Sequence, residues 1–466
     1  MRTNTDKKQV RISRIDITTD KITGRGGVAF FSRYVEHLGF YSLFTKTFGH
    51  LKTSGKGLTC HGFIKQILAY FLDGSDMAIA GFDRRKKDQA YAASLECNLS
   101  DLASSHQIKR FFSKFQVVGN LLFRKILAHL FIWRLHIEKP KIIVLFGDTM
   151  VMNNDDATQR EGVELTYKRK KGFHPLHLCW GPYLVDVIFR KGSAHSNHGN
   201  DFTRAVARIT ALIRKRYADV PIIVVTDSGF LSDANFTFFE EKLKIHYICV
   251  GKKYQELRDY VAACDPALFQ EFATKNTIWR YIEFGNQLKS WSTLRRCIFT
   301  SRICEETGQL SFDFNQTDLF IYTNIGQDKD LTDQLIRAGG AEWLQPVKII
   351  AANHQRGKDE LIHRSLKEFA TRENLPFEKF AMNRAWYHLL AISHFLFEAY
   401  KRDVTYDVLP VTAYPNTFRR RLIDFAAKIV SSGGHILLKV TRTLMDDLKL
   451  KELWSRCLAP PPIALQ

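Results

Sequence analysis

Two short apolar runs, each ending in an aspartate, constrain the fold of this chain more than any other feature. KIIVLFGDTM at 141–150 carries Asp148, and VPIIVVTDSGF at 220–230 repeats the design with Asp227. Runs of β-branched and bulky apolar residues closed by a turn residue are typical of buried central strands. A single aspartate after a strand is most often a turn or cap residue. Two such strands can set two carboxylates side by side, which suits a divalent cation better than it suits stability, because like charges repel.

The residues between and after these runs complete the pattern of one sheet. Residues 176–189 predict two strands that turn at Gly181 and run antiparallel to the first run. Helical spacing follows at 201–217 and at 236–243, with a short strand expected at 246–250. The order of acid-bearing strand, two strands, helix and second acid-bearing strand is the order found in ribonuclease-H-like domains.

Helical periodicity dominates the chain up to about residue 137. Amphipathic spacing predicts a helix at 27–48 and another at 59–72. A helix capped by Ser104 or Ser105 and a helix at 120–136 carry basic residues off their apolar faces. These basic residues are Lys109, Arg110, Lys114, Arg124, Lys125 and Arg134. They form either a solvated helix face or a surface that lies on DNA phosphates.

The charge balance favours a polyanionic partner. The chain has 68 lysines and arginines against 48 acidic residues, a formal net charge of +20. Basic side chains that neutralise phosphates release condensed counterions, so nucleic acid is the natural candidate. The alternative is a soluble basic protein without such a partner, but here the basic residues cluster. Two clusters are Lys168, Arg169, Lys170 and Lys171, and Arg419 to Arg421.

Several other classes of protein fit the composition poorly. No apolar run reaches the ~18 residues that a membrane helix needs, and the N-terminus is polar and basic without the apolar segment of a signal peptide. The eight cysteines are scattered, with no C-x-x-C and no paired Cys/His clusters. We therefore expect a cytoplasmic protein without membrane association, zinc site or disulfide framework.

The last third of the chain changes texture twice. Short β-branched and aromatic runs separated by turn residues predict a β-rich insert at about 254–350. Helical spacing returns at 351–367, where four polar residues are 4, 3 and 4 positions apart and so share one helical face. They are Arg356, Glu360, His363 and Lys367. Such a stripe is usually a solvent-exposed, ion-paired face.

Taken together, these motifs resemble the DDE transposases of bacterial insertion sequences, in particular the group with the signature Y-x2-R-x3-E-x6-K. Arg356, Glu360 and Lys367 have the spacing of that signature, while Asn353 stands where the family has tyrosine. The other matching phrases are GDTM and TDSGF around the two aspartates, KGFHPL at 171–176 and RKGSAHSN at 190–197. No single phrase is specific, but their order along the chain is.

The resemblance implies an α/β fold with a ribonuclease-H-like catalytic core. The core is expected at 139–253 and 351–404, interrupted by the β-rich insertion at 254–350. A helical DNA-binding region is expected at 1–138, and a basic C-terminal region at 405–466.

The resemblance also implies the chemistry. Asp148, Asp227 and Glu360 are expected to bind two Mg²⁺ ions, with Mn²⁺ as a substitute, for DNA strand cleavage and strand transfer. Arg356 and Lys367 are expected to hold DNA phosphates together with the basic run at 168–171. The expected partners are double-stranded DNA, in the form of the element's terminal inverted repeats and its target, and a second copy of the chain once DNA is bound. The expected location is the bacterial cytoplasm, at the nucleoid.

A tryptophan of the insert is a further candidate by resemblance. Trp291, with Lys289 before it and Arg295 and Arg296 after it, is the residue expected to stack on a base flipped out near the cleaved end. The alternative is an ordinary core tryptophan.

Two other functions stay open on the sequence. One is a ribonuclease-H-like nuclease that cuts without strand transfer, and the β-rich insert disfavours it. The other is a DNA-binding protein derived from a transposase and no longer catalytic, which the presence of all three acids disfavours.

Overall fold

Strands and helices alternate through the middle of the chain in a mixed α/β fold. The structure, a computed structural model, describes residues 12, 14–52, 56–76, 78–116, 120–274, 277–303, 318–355 and 357–463, the side chains of 357–360 excepted. Its strands are β1 (Lys21–Thr23), β2 (Ile143–Thr149), β3 (Met152–Asn153), β4 (Glu164–Leu165), β5 (Lys171–Phe173), β6 (Leu176–Trp180), β7 (Tyr183–Ile188), β8 (Ile222–Thr226), β9 (His246–Val250), β10 (Gln270–Thr274), β11 (Thr277–Asn286), β12 (Arg295–Ile303), β13 (Leu319–Thr323), β14 (Ala427–Ser432) and β15 (His435–Lys439).

Helices flank these strands and fill both ends of the chain. The α-helices are α1 (Gly27–His37), α2 (Phe40–Phe48), α3 (Cys60–Asp73), α4 (Gly81–Arg85), α5 (Gln89–Ser94), α6 (Ser105–Ser113), α7 (Leu121–Glu138), α8 (Asp201–Arg216), α9 (Asp233–Thr237), α10 (Gln255–Ala263), α11 (Lys329–Arg337), α12 (Pro346–Gln355), α13 (Gly357–Ala370), α14 (Phe380–Asp403), α15 (Pro415–Phe418), α16 (Arg442–Asp447) and α17 (Leu450–Leu458). Two π-helical turns, Phe238–Leu243 and Arg419–Ile423, continue α9 and α15.

A nine-stranded sheet in the order β10-β11-β12-β13-β9-β8-β2-β6-β7 organises the fold. Its centre is parallel, because β2 pairs with β8 and β8 with β9 in the same direction. Strand β6 pairs antiparallel with β2, and β7 pairs antiparallel with β6 on its far side. The two strands turn at Gly181 as the sequence predicts, but only β6 lies next to the Asp148 strand. The expected buried strands of the two acid-bearing runs, the helix α8 and the short strand β9 are all confirmed. The ribonuclease-H-like assignment itself stays a prediction.

The described strands of the β-rich insert extend the central sheet. Strand β13 pairs antiparallel with β9, and β12, β11 and β10 follow in order as hairpin neighbours. Helices α11 and α12 then close the insert before the last helical part begins. One apolar cluster, from Val28 to Ile463, has members in each of the predicted regions, so the predicted domain boundaries stay predictions.

The two faces of the central sheet pack against two different apolar clusters. The cluster that covers a face therefore identifies the side of the sheet to which an acid points. In β8, Ile222 and Val224 belong to the large cluster, whereas Ile223 and Val225 pack with Ile349 and other residues around α12 in a second cluster. Side chains alternate between faces along a strand. The α12 side of the sheet is therefore a distinct apolar layer that lies against the central parallel strands.

The N-terminal helices differ from the prediction in one break. Residues 27–48 form two helices, α1 and α2, because Gly39 adopts a left-handed conformation with φ +78° that an α-helix cannot continue through. Helix α3 agrees with the predicted span, with Thr59 capping it. Ser104 caps α6 in a capping box with Gln107, which selects Ser104 over Ser105.

Two predicted basic-face residues of α7 are buried ion-pair partners instead. Arg124 is 8% exposed and donates two hydrogen bonds of 2.7 and 2.6 Å to Asp186. Arg134 is 3% exposed and bonds to Asp403 at 2.8 Å. Helix α7 packs on β7, α8 and α14, so it has core on more than one side. The prediction that these two arginines face solvent or DNA is wrong.

The C-terminal region joins the N-terminal helices. Strand β1 pairs with β14 in a small sheet β1-β14-β15, and α1 packs against α17. Arg419, predicted within a basic surface cluster, is 5% exposed and donates to the carbonyls of Leu72 at 2.8 Å and Phe369 at 2.9 Å. It thereby caps the last turns of α3 and α13 together. Arg420 and Arg421 are exposed.

Among the described residues, no single helix has the length and apolarity to cross a bilayer. The α6 segment and α7 pass such a test only as a pair joined across a 99° bend.

Candidate functional site

Asp148 and Asp227 come together at one end of the two central parallel strands. The register of β2 and β8 pairs Gly147 with Thr226, so each aspartate is the next residue along its strand. Neighbouring strands lie about 4.8 Å apart. The expectation that the two acids are neighbours at one sheet edge is confirmed at the level of the backbone.

Local contacts fix the two carboxylates differently. Asp148 Oδ1 accepts a hydrogen bond of 2.7 Å from the backbone N–H of Thr149. The side chain of Asp148 is 20% exposed. Asp227 caps a short 3₁₀ turn, accepting from the N–H of Gly229 at 2.9 Å. Gly147 precedes the first acid because a Cβ there would overlap the ring of Phe202 on α8. Both aspartates are half-buried.

Both acids lie toward the α12 and α13 side of the sheet. Asp148 has the same strand parity as Val144 and Phe146, which pack against the cluster around α12. Helix α13 follows α12 directly and carries His363, whose Nδ1 is 3.8 Å from Asp148 Oδ2. The backbone of Glu360 lies on α13 one turn before His363.

The remaining signature residues are only partly described. Arg356 lies outside the described residues, as does the side chain of Glu360, and their roles stay predictions. The single helix predicted at 351–367 is built from α12 and α13, which end at Gln355 and begin at Gly357. Lys367 forms an ion pair of 2.9 Å with Glu373. Asn353 is 4% exposed in α12.

The basic run at 168–171 forms the exposed tip of the β4–β5 hairpin. Backbone bonds between Thr166 and Lys170 close the turn, and Arg169 adopts a left-handed φ of +56° within it. Partial burial raises the pKa of the neighbouring Tyr167, and the charges of Asp148 and Asp227 raise it further. The charges of both acids therefore act on Tyr167 at the hairpin tip. All four basic residues of the run are exposed.

The donor set at this sheet edge fits a hard divalent cation. Carboxylate oxygens are the ligands that Mg²⁺ and Mn²⁺ prefer, and Asp148 and Asp227 supply them from adjacent strands. Within the described side chains, no three His, Cys, Asp or Glu groups gather as a metal site. The third predicted ligand, Glu360, falls outside that set, so the two aspartates are the part of the site that the structure describes.

Sequence reasoning missed His177 and Tyr387 beside the site, and it gave His363 no role there. His177 is the strand-to-strand partner of Asp148 in β6, and its Nδ1 is 3.2 Å from Nε2 of His363. Its Nε2 is 2.8 Å from the hydroxyl of Tyr387 on α14. Asp148, His177, His363 and Tyr387 thus come from four different elements. A histidine inside the apolar run LHLCW was the available signal.

Trp291, the predicted base-stacking residue, lies in the core. It is 7% exposed and makes edge contacts with Phe236 and Tyr322. Arg295, one of its basic neighbours, is 1% exposed and packs on the indole at 5.0 Å. The core alternative is therefore favoured over base stacking for this residue. Trp279 of the same insert is half-buried, with its ring 4.4 Å from that of His354 at the end of α12.

The fold and the paired aspartates define a mixed α/β protein with a two-carboxylate edge on its central sheet. The family described as transposase DDE domain group 1 matches residues 4–458. The chain belongs to this family of DDE transposases, as the resemblance predicts. The cryo-EM structure of the piggyBac transposase synaptic complex with hairpin DNA is also similar, with 12% sequence identity, a TM-score of 0.38 and coverage of 95% of this chain and 85% of that one. No curated protein matches the chain.

Proposed function

We propose that this transposase binds the ends of its own mobile element, cleaves the DNA strands there and joins the cut ends to a target. The observation that carries the proposal is the position of Asp148 and Asp227 at neighbouring ends of two paired parallel strands. Two half-buried acids with like charge cost stability unless a cation joins them. The β-rich insert and the helix bearing Glu360 complete the pattern expected of a cut-and-paste enzyme.

Three acids of this chain would hold the metal. Asp148 and Asp227 would bind Mg²⁺ from the sheet, and Glu360 would complete the set from α13. When bound, the metal would activate a hydroxyl nucleophile and stabilise the leaving oxygen of a phosphoryl transfer. Mn²⁺ would substitute, because it accepts the same oxygen donors.

The DNA-binding residues would neutralise phosphates around this edge. Lys168 to Lys171 extend from the hairpin tip next to the acids, and the net charge of +20 supports association with a polyanion. Lys367 would exchange its partner Glu373 for a DNA phosphate, and Arg356 would bind a second phosphate bidentately. Two copies of the chain on two DNA ends form the active assembly in this proposal, inside the cytoplasm where the DNA lies.

The test uses purified full-length chain and a duplex carrying the DNA that flanks its gene. We expect nicked and joined products with Mg²⁺ or Mn²⁺ and none with EDTA. Activity that survives EDTA would contradict the metal assignment. Cleaved ends that are never joined to a second duplex would instead identify a nuclease without strand transfer.

A matched pair of variants locates the activity. Asp227 follows the carboxyl end of β8, and Asp219 precedes the other end of the same strand and is exposed. Asp219→Asn removes the same charge from the far edge of the sheet and should keep full activity. Equal loss in Asp219→Asn and Asp227→Asn would mean that the assay reports bulk charge and not this site.

A further inference from the structure

A line of four polar side chains connects the core of the protein to the first acid of the site. The hydroxyl of Tyr387 on α14 is 2.8 Å from Nε2 of His177 on β6. Nδ1 of His177 is 3.2 Å from Nε2 of His363 on α13, and Nδ1 of His363 is 3.8 Å from Oδ2 of Asp148 on β2. Each nitrogen of both imidazoles therefore faces a neighbour within this line.

The line is buried at one end and open at the other. Tyr387 and His177 are both 0% exposed, whereas the side chains of His363 and Asp148 are 13% and 20% exposed. Burial lowers the pKa of His177 well below its usual value, and the charge of His363 lowers it further. Burial raises the pKa of Tyr387 well above its usual range. Both groups are therefore neutral, and His177 carries a single N–H proton.

The chemistry of the four groups limits where protons can lie in the line. A carboxylate accepts hydrogen bonds and cannot donate them, so an attractive contact with Asp148 needs a proton on Nδ1 of His363. His177 has a single N–H, so it donates to one of its two neighbours, the Nε2 of His363 or the hydroxyl of Tyr387, and accepts a hydrogen bond from the other.

We propose that Tyr387 and His177 hold the imidazole ring of His363 in place so that its Nδ1–H orients the carboxylate of Asp148 for metal binding. The inference rests on the proposed function, because it assigns Asp148 as a metal ligand. His363, His177 and Tyr387 are positioning residues, since they act through Asp148. Outer partners of this kind change metal affinity or activity by about 10- to 100-fold when removed.

The two ring nitrogens of His363 face different partners. Its Nε2 is engaged by His177, and its Nδ1 faces Asp148. The separation of 3.8 Å is longer than a hydrogen bond. At that distance the N–H dipole still attracts the carboxylate through space.

The test removes the hydroxyl oxygen of Tyr387, the side chain at the end of the line opposite Asp148. Tyr387→Phe deletes the hydroxyl and leaves the ring, so Nε2 of His177 loses its hydrogen-bond partner. We expect Mn²⁺ binding, measured by calorimetry on the full chain, to weaken about 10-fold. The Mg²⁺ concentration for half-maximal cleavage should rise by a similar factor, while DNA binding in EDTA stays unchanged.

Tyr400→Phe is the matched control. Tyr400 lies on the same helix, is 2% exposed, and pairs through its hydroxyl with the thiol of Cys457. Deleting that hydroxyl removes a comparable buried contact with no link to Asp148. It should lower the melting temperature as much as Tyr387→Phe does and leave Mn²⁺ affinity at the wild-type value.

Two further measurements distinguish loss of this line of contacts from a general loss of stability. ¹⁵N spectra should show the imidazole signals of His177 and His363 shifted in Tyr387→Phe. His363→Asn, which cuts the line at its exposed end, should give the same loss of Mn²⁺ affinity even if Tyr387→Phe folds poorly. Wild-type Mn²⁺ affinity in a folded Tyr387→Phe or His363→Asn protein would overturn the positioning role proposed for Tyr387, His177 and His363. A wild-type chain that neither binds Mn²⁺ nor cleaves DNA overturns the proposed function instead.

Discussion

Asp186 and the pair Asp148 and Asp227 show two opposite ways of placing an acid on the same sheet. The side chain of Asp186 on β7 is 1% exposed and is enclosed by Arg124 at 2.6 Å and Arg208 at 3.2 Å. Asp148 and Asp227 lie side by side at the edge of the central strands and stay half-buried. Charge compensation is built into the protein around Asp186. At the edge of β2 and β8 the protein instead brings like charges together.

The difference separates an acid that supports the scaffold from acids that support chemistry. Removing one partner of a buried ion pair leaves an uncompensated charge and costs folding free energy. Removing one of two adjacent acids relieves the repulsion between them and takes a ligand from a bound cation. Variants at the two places should therefore fail in different assays.

The largest effect is expected from Asp227→Asn. The amide keeps an acceptor for the N–H of Gly229, so the turn should fold, while the cation loses a charged ligand. Loss of several kcal/mol of transition-state stabilisation corresponds to a cleavage rate about a thousandfold lower. DNA binding measured in EDTA should equal or slightly exceed that of the unmodified chain, because a negative charge beside the phosphates is gone.

The same variant can break the comparison. If Asp227→Asn melts early and loses DNA binding and cleavage in parallel, Asp227 is a scaffold residue like Asp186. Asp219→Asn, at the other end of β8, serves as the control and should change none of the three measurements.

The second effect is a loss of stability at Arg124→Met. This change leaves Asp186 buried with Arg208 alone, and breaking such a pair costs about 3 kcal/mol or more. Chemical denaturation should show this loss, while the surviving folded protein keeps its metal-dependent activity. Arg110→Met on the exposed face of α6 should change stability by less than about 0.5 kcal/mol.

A double variant sharpens this second prediction. Replacing both partners, as Arg124→Met with Asp186→Leu, should recover part of the lost stability, because apolar side chains need no charge partner. An Arg124→Met protein as stable as the unmodified chain would return Arg124 to the solvated basic face that its sequence pattern suggests.

The amino-acid sequence predicts the acid edge well because the signal is local. Each acid follows its own uninterrupted apolar run, and parallel pairing of the two runs is enough to make Asp148 and Asp227 neighbours. The hairpin turn at Gly181 is equally local. These features need no knowledge of distant parts of the chain.

The partners of buried charges could not be predicted in the same way. Arg124 and Asp186 are 62 residues apart, and nothing in the pattern of α7 tells that it packs against β7, α8 and α14. His177 is opposite Asp148 only because of the register between β2 and β6, which the long connection at 150–175 leaves undefined. Trp291 among basic residues suggested a surface site, yet Arg295 is buried with it.

The third effect is on acid stability and concerns a buried base. His246 on β9 is 1% exposed, and burial lowers its pKa to about 4. Its pKa in the unfolded chain is about 6.5. Between these values the unfolded chain binds a proton that the folded chain does not, so stability falls as the pH drops. At pH 5 this one histidine should cost about 2 kcal/mol relative to pH 7.

Melting curves from pH 7 to pH 5 check this expectation. His246→Leu should melt with a smaller dependence on pH over that range than the unmodified chain. The exposed His50→Leu should keep the unmodified dependence. An identical pH dependence in His246→Leu would show that this histidine is not held neutral by the scaffold.

The smallest effect is expected at the hairpin tip. It tests whether the DNA-binding surface around Asp148 and Asp227 includes this tip. Lys168→Gln with Lys170→Gln removes two exposed positive charges beside Tyr167, which senses both acids. If each lysine contacts a phosphate, the slope of log affinity against log salt should fall by about 2, measured in EDTA. The matched control is Lys215→Gln with Lys244→Gln, two exposed lysines next to the opposite ends of the central strands. Both double variants have the same net charge. An equal change in slope would therefore mean that DNA affinity depends on total charge. A change confined to the hairpin variant would extend the DNA site from the two aspartates to the β4–β5 tip.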